Sequence, residues 1–365
     1  MTQAVIRHWL LNSGVQVPAG AERGGVAGWL NERGDPEFVY TEVTGYYLTA
    51  MAFMLAAGSR EDGTAACRAS LTFEWLLRRC ERGEVPPTRS YLSGQNDDWR
   101  SSAVFAFDLA MALRGVAAIR GLVPEDQRRS VQDLLTKSLL SFCTPGSALI
   151  PFLPNQPDVG NRIPVRWSTT PGPYQTKIAA SILLALDSAT PPALENAVRN
   201  IRRLWCADVR GRCLTGHWHS DLYFIEGLIL LGLYGQDSQA WRLAGENYRA
   251  AVDCLGSTLN MPDGLPLPES AMRSDVIAQL LRAGCILRSN GCLTEPAWAE
   301  KLDGLALLLH SFISTDGAVS FRPISLPERL HWNAWCALFA HQALCFHDLT
   351  SRGNKLEARL IRLLI

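Results

Sequence analysis

The stretch VYTEVTGYYLTAMAFMLAAG, residues 39–58, decides the fold. From Thr44 onward it is apolar on every side for about three turns, so a helix formed there keeps no face for water and is buried all round. Its polar groups gather at the start. Thr41 is the expected N-cap, and Glu42 sets a carboxylate against the positive end of the helix dipole. The same grammar, a polar lead-in followed by an apolar run, returns at residues 98–119, 174–186, 219–233, 273–287 and 331–346. Their starts are spaced irregularly, by roughly 45 to 75 residues, as in repeated helical hairpins. Six buried helices are predicted.

Amphipathic helices lie between them. Ala69, Phe73, Leu76, Leu77 and Cys80 fall on one face of the first, and Leu194, Ala197, Val198, Ile201, Leu204 and Trp205 on one face of the third. Comparable stripes run through Val131, Leu135 and Leu139, through Trp241, Tyr248 and Leu255, and through Trp298, Leu305 and Phe312. A last helix, 356–364, is expected to complete the sixth pair, and a short amphipathic segment, 5–11, precedes the first. Alternating buried and half-buried helices pack most simply as an inner ring within an outer ring. The predicted fold is an all-α (α/α)6 toroid forming a single domain over residues 1–365.

Connection lengths give this toroid a polarity. Links from buried to amphipathic helices are short, as at 58–63, 121–124 and 234–236, whereas those leading into buried helices are long and rich in Pro, Gly, Trp and Tyr. All the long loops then open on the rim where the inner helices point their N-termini. Loops of this length usually carry function, and converging helix N-termini favour an anion.

Composition narrows the partners. Lys plus Arg and Asp plus Glu are 35 each, so the formal charge is +0, and bulk charge does not select nucleic acid or an anionic membrane. No apolar run reaches about 18 residues free of charge, and the first residues lack a basic segment followed by a long apolar one. The expectation is a cytoplasmic protein without membrane insertion. Ten cysteines are scattered without a CxxC and read as reduced, mostly buried thiols.

The rim carries paired carboxylates, arginines and aromatic rings, the equipment for binding and cleaving sugars. Rings stack on pyranose faces, guanidinium forks hold carboxylates, and two carboxyl groups supply an acid and a base or nucleophile. Each element also has a plainer role: Glu42 as a helix cap, Asp97 and Asp98 as a cap and its solvated neighbour, single Tyr and Trp residues as lids on the core. Cys213, His217, His219 and Asp221 are candidate zinc ligands by residue type. No CxxC or HExxH supports them, so neither metal nor cofactor is expected.

With these motifs laid out, the chain resembles exopolysaccharide-biosynthesis proteins of the six-hairpin glycosidase clan, of the VpsJ type. The resemblance rests on GGVAGW at 24–29, YTEVTGYYL at 40–48, VFAFDLAMALRG at 104–115, HWHSDLYFIEGLI at 217–229 and RSDVIAQLLR at 273–282. The pattern expected on the second inner helix, FDTGQ, is here FDLAM, which leaves Asp108 among apolar neighbours and in need of a partner. The resemblance implies a toroid that handles saccharides, related in fold to hydrolases of unsaturated uronides and to N-acylglucosamine epimerases.

The first expectation is a glycoside hydrolase or related lyase acting on an acidic or acylated oligosaccharide. Asp98 is assigned as general acid, Glu42 or Asp275 as the second carboxylate, His219 as an auxiliary acid or base, and Arg166 and Arg273 as anion clamps. Tyr46, Asp97, Trp99, Trp167, Tyr174, His217, Asp221, His331 and Trp332 are the remaining candidate saccharide contacts. Three alternatives stay open: a sugar epimerase using His219 and His331, a saccharide-binding protein without catalysis, and a class II terpene cyclase suggested by QNDD at 95–98.

Overall fold

The computed structural model describes residues 2–58, 62–93, 98–144, 148–154, 163–206, 215–259, 272–324 and 331–365. Its helices in chain order are α1 (Thr2–Asn12), α2 (Thr41–Ala56), α3 (Asp62–Glu81), α4 (Ala106–Ala118), α5 (Glu125–Leu140), α6 (Gln175–Leu186) and α7 (Pro192–Trp205). There follow α8 (Trp218–Gly235), α9 (Ser238–Leu259), α10 (Ser274–Ser289), α11 (Ala297–His310), α12 (Ala334–Ser351) and α13 (Ala358–Ile361). The even-numbered helices pack each against the next, and α12 returns to α2, closing an inner ring. Each of α3, α5, α7, α9 and α11 lies against the inner helix before it, and α1 lies against α12 and α3. The architecture is an (α/α)6 toroid.

The two rings follow from side-chain pattern. In α2, Thr41 and every residue from Val43 to Met54 are buried. In α7, Leu194, Ala197, Val198 and Ile201 form the buried stripe while Arg199, Arg202 and Arg203 face outward. Pro192 occupies the first turn of α7, where its missing N–H costs nothing. Each large apolar side chain taken from water stabilises the fold by about 1.5–3 kcal/mol, and one contiguous hydrophobic cluster extends from Ile6 to Ile365. Among the described residues no helix is long and apolar enough to cross a membrane.

Glycine sets the spacing of the inner ring. A Cβ on Gly115 would stand 2.5 Å from Gly45 O, and one on Gly45 would run into the main chain of Met111 and Ala112, so α2 and α4 touch backbone to backbone. Gly227 repeats this for α8 on α6, where a Cβ would lie 2.5 Å from Lys177 N.

At the rim the long loops are stitched together by short antiparallel ladders. Strands β1 (Trp29–Leu30), β2 (Phe38–Tyr40), β3 (Arg89–Tyr91), β4 (Ala103–Phe105), β5 (Phe152–Pro154) and β6 (Trp332–Asn333) pair as β1 with β6, β2 with β3 and β4 with β5. Each ladder joins loops that enter different inner helices.

Three sequence expectations are corrected. The sixth outer helix is α1 rather than 356–364, whose residues tuck beneath the closed end of the ring: Arg114 donates to Arg362 O at 2.8 Å and Gln342 to Leu363 O at 2.8 Å. The second inner helix begins at Ala106, not near Asp98, because residues 99–102 form a 3-10 turn and 103–105 a strand. Thr41 is not the N-cap of α2; Tyr40 takes that position, and the Thr41 hydroxyl donates to Pro87 O at 2.6 Å.

Candidate active site

Backbone pairing at the rim brings two helix starts together. Thr41 N donates to Thr88 O at 3.1 Å, and Thr88 N donates to Ala103 O at 2.8 Å, so the segments entering α2 and α4 flank Thr88. The register of β2 on β3 sets Arg89 opposite Tyr40. A cavity of about 220 Å³ opens between them, with Glu42, Asp108, His219, Arg89, Arg100, Arg166 and Arg273 in its wall. Trp99, Trp167, Trp335, Tyr40, Phe105 and Phe107 supply its aromatic lining.

Glu42 and Asp108 are its carboxyl groups. Glu42 accepts from the Tyr223 hydroxyl at 2.8 Å, and the Tyr46 hydroxyl donates to Tyr223 at 2.9 Å. Burial raises the Glu42 carboxyl above its ordinary range, while the phenols of Tyr223, Tyr40 and Tyr46 and the charge of Lys177 pull the other way. Asp108 accepts from the Thr88 hydroxyl. Burial, and after it the charge of Glu42, holds Asp108 well above the carboxylate range, against the pull of Thr88 and Arg89. Two carboxyls on a single cavity, one raised by the charge of the other, tend to share protonation states unequally.

His219 is held from behind. Its Nδ1 lies 2.7 Å from Gln279 Oε1 and 3.1 Å from Asp275 Oδ2. Both neighbours are acceptors, so Nδ1 carries the proton and Nε2 keeps the lone pair. Burial draws this imidazole down to about 4, although Asp275 opposes the shift.

Asp275 is fully buried and committed to partners. Arg273 donates to it from Nε at 3.0 Å and from Nη2 at 2.5 Å, and Trp335 Nε1 donates at 3.4 Å. Burial raises this carboxyl, but the charge of Arg273, with the hydrogen bonds from Arg273 and Trp335, outweighs it and leaves it below its ordinary value. Asp275 therefore orients His219 and Arg273, and it is absent from the cavity wall.

Asp98 caps the 3-10 turn, accepting from Arg100 N at 3.2 Å, from Arg100 Nη1 at 3.0 Å and from the Tyr91 hydroxyl at 2.6 Å; Arg89 lies 3.6 Å away. Burial works to raise this carboxyl, yet the bonds from Tyr91 and Arg100 carry it below its ordinary value. It stands behind Arg89 and Arg100, as a carboxylate, outside the cavity wall.

Of the other residues expected from sequence, Trp99, Arg166, Trp167 and Arg273 line the cavity with Glu42 and His219. Tyr46 is buried below its floor, and Tyr174 packs behind Trp167, ring centroids 5.2 Å apart, donating to Thr170 O. Asp221 accepts from the amides of Thr215 and Gly216 and so ties down the loop into α8, whereas His217 is exposed. His331 sits between Trp29 and Phe321, and Trp332 is a β6 residue paired with Leu30. Asp97 and Cys213 lie outside the described residues. Among the described residues no three His, Cys, Asp or Glu side chains converge to hold a metal ion.

Sequence reasoning left out of the site Asp108, Arg100, Trp335 and the positioning groups Gln279 and Tyr223. The signal for Asp108 was present: an acid inside an apolar run needs a partner. Trp335 and Gln279 carried none, because each sits within an unbroken buried helix.

Compared by sequence, the chain matches no family model and no curated protein. Solved structures are similar over almost its whole length. An unsaturated glucuronyl hydrolase specific for heparin superposes with a TM-score of 0.66 at 10% identity, covering 98% of this chain and 99% of that one. A cellobiose 2-epimerase from Spirochaeta thermophila gives 0.68 at 11% identity, covering 96% and 97%. An alpha-1,6-mannanase from a Salegentibacter species gives 0.61 at 12% identity, covering 96% and 99%. These neighbours are enzymes of the six-hairpin glycosidase fold, and at such identities the likeness is one of fold.

Proposed function

We propose that residues 1–365 act as one carbohydrate-active toroid that cleaves an acidic saccharide at the rim cavity, as a glycoside hydrolase or related lyase. The observation that carries this reading is the pair Glu42 and Asp108, two carboxyls raised by burial that face one cavity walled by indoles and arginines. Asp108, the more strongly raised, is the acid that gives its proton to the leaving oxygen. Glu42, whose anion the phenol of Tyr223 supports, is the base toward water or a sugar C–H. This moves the acid from Asp98 to Asp108, since two guanidinium groups hold Asp98 as a carboxylate. The cavity volume suits one sugar ring, so the chain end of a saccharide is the reacting part. Arg166 and Arg273 meet its carboxylate. The VpsJ-type resemblance and the glucuronyl hydrolase among the structural neighbours support an acidic substrate in cytoplasmic polysaccharide metabolism.

A sugar epimerase is the second reading, favoured by His219, whose free Nε2 belongs to a residue of the cavity wall. His331, the expected second histidine, is not in that wall, so Glu42 or Asp108 is the partner this reading needs. One experiment separates the two. Purified protein is incubated in D2O with uronide-bearing oligosaccharides and with mannose- and glucose-terminated disaccharides, and products are read by mass spectrometry. New reducing ends or unsaturated products support cleavage; deuterium in an unbroken sugar supports epimerisation. Binding without either marks the chain as a saccharide-binding protein. The terpene cyclase reading has little support, because Asp98 is paired as an anion.

A further inference from the structure

Beneath the cavity floor the toroid axis holds ionic groups that take no part in lining the site. Lys177 (α6), Glu226 (α8) and Arg282 (α10) are each 0% exposed. Lys177 Nζ donates to Glu226 Oε2 at 2.7 Å and to Ile365 O at 2.9 Å. Arg282 Nε donates to Glu226 Oε1 at 2.7 Å, and its guanidinium carbon stacks 3.9 Å from the Phe339 ring centroid. Glu226 thus faces the Lys177 ammonium and the Arg282 guanidinium, with Arg114 close enough to weigh on both. Burial draws Lys177 down to about 7 against the pull of Glu226, so its charge is held below that pH. Burying such charge is costly unless it is paired and used.

A ring connects this cluster to the site. Lys177 Nζ lies over the face of Tyr223, 4.3 Å from its centroid, and 5.1 Å from that of Tyr46. Tyr46 donates to the Tyr223 oxygen, which commits the Tyr223 proton to Glu42. A cation over the π face withdraws electron density from the phenol, and a donor on its oxygen does the same, so both strengthen the hydrogen bond to Glu42. The groups that bear on Glu42 are Tyr40 from β2, Tyr46 from α2, Tyr223 from α8, Asp108 from α4 and Lys177 from α6. Arg89, Arg100, Arg166 and Arg273, with the neutral His219, complete the charged and titratable wall.

We propose that Lys177 is a positioning residue for Glu42, acting through Tyr223 to keep the carboxyl oriented and to favour its ionised form at the cavity floor. The inference rests on Glu42 being the base of the proposed site, but its test needs no substrate. The carboxyl carbon of Glu42 is followed by NMR in protein labelled with 13C at glutamate Cδ, assigned by its loss in Glu42→Gln. In Lys177→Met the Glu42 midpoint rises by about one pH unit or more, as expected when a nearby cation is removed from a buried acid. In a Tyr223→Phe background the same substitution moves the midpoint by less than half as much, because the intermediary is gone. A purely structural staple would lower the melting temperature of Lys177→Met and leave the midpoint where it was, and that result overturns the proposal. A full-sized shift in the Tyr223→Phe background overturns the route through Tyr223. Should Lys177→Met fail to fold, Lys177→Gln keeps a donor for Glu226 and for Ile365 O while removing the charge, and an unmoved midpoint there is equally decisive. Loss of turnover in Glu42→Gln tests the proposed function separately.

Discussion

Glu42 and Asp108 stand in the first turns of successive inner helices, on opposite flanks of Thr88, and the charge of one raises the proton affinity of the other. Two otherwise separate loops have to be knitted by β-pairing for this to occur. The proposed acid–base pair is thus a product of rim topology more than of any local motif.

This pair predicts a pH signature. A carboxyl whose folded pKa is raised contributes stability below its unfolded value, about 4, and loses that contribution as pH climbs through the folded value. Asp108 and Glu42 are both raised, so melting temperature falls from pH 5 toward pH 8. Asp108→Asn flattens that fall and is the more stable protein at pH 8. Calorimetry of both proteins across this range checks it; parallel curves would remove Asp108 from the titrating pair.

The same substitution separates capping from catalysis. As helix caps, Glu42 and Asp108 are worth at most about 1 kcal/mol each. As proton donor and acceptor they are each worth about 10²-fold or more in turnover. Glu42→Gln and Asp108→Asn therefore abolish most cleavage of the substrate found by the D2O screen, whereas Asp98→Asn acts through Arg89 and Arg100 and changes binding more than the chemical step.

For His219 the sign is opposite to that of the carboxyls. Its folded value is drawn down to about 4 against an unfolded value near 6.5, so it stays neutral through the physiological range. Stability associated with it is full above the unfolded value and is lost as pH falls toward 4. Imidazole proton resonances should show His219 untitrated at pH 5. Asp275→Asn removes the group that opposes the shift and lowers the His219 midpoint further.

How much of this was legible in the sequence varies with the physics involved. All-round apolar runs such as 44–56 have one stable environment, so the inner ring and its rim were readable. The outer stripe of α7 was equally plain. What escaped depends on contacts across the chain: α1 rather than the 356–364 segment completes the outer ring because closure is decided by α12, far away in sequence. Asp98 looked like a helix start beside Asp97, and only the β4–β5 ladder explains why α4 begins eight residues later. Likewise Gln279 and Tyr223 gain meaning from His219 and Glu42, which no spacing rule connects to them.

Glycine substitutions test the packing of the rings. Gly45→Ala forces a methyl into the main chain of α4, a contact that no rotamer relieves, and should cost about 3 kcal/mol or more in urea unfolding. Gly304 lies exposed within α11, with open space around its would-be Cβ. Gly304→Ala should stabilise by about 0.5–1 kcal/mol through helix propensity. Similar effects at the two sites would contradict backbone contact between α2 and α4.

The acidic ligand class proposed for the cavity can be tested at Arg166. Arg89 and Arg100 answer Asp98, and Arg273 answers Asp275, but among the described residues no carboxylate pairs with Arg166 at the cavity wall. A guanidinium left open beside indole rings is matched by a carboxylate on a sugar ring, and charge-assisted bonds of this kind are roughly twice as strong as neutral ones. Arg166→Gln should therefore weaken binding of a uronide-terminated saccharide by about tenfold or more, the equivalent of one such bond, and reduce its salt dependence. A neutral saccharide of the same linkage should bind both proteins alike. Titration calorimetry at low and moderate salt measures both quantities. Equal losses for acidic and neutral saccharides would mean that Arg166 shapes the cavity without reading charge, and the acidic substrate class would have to be given up.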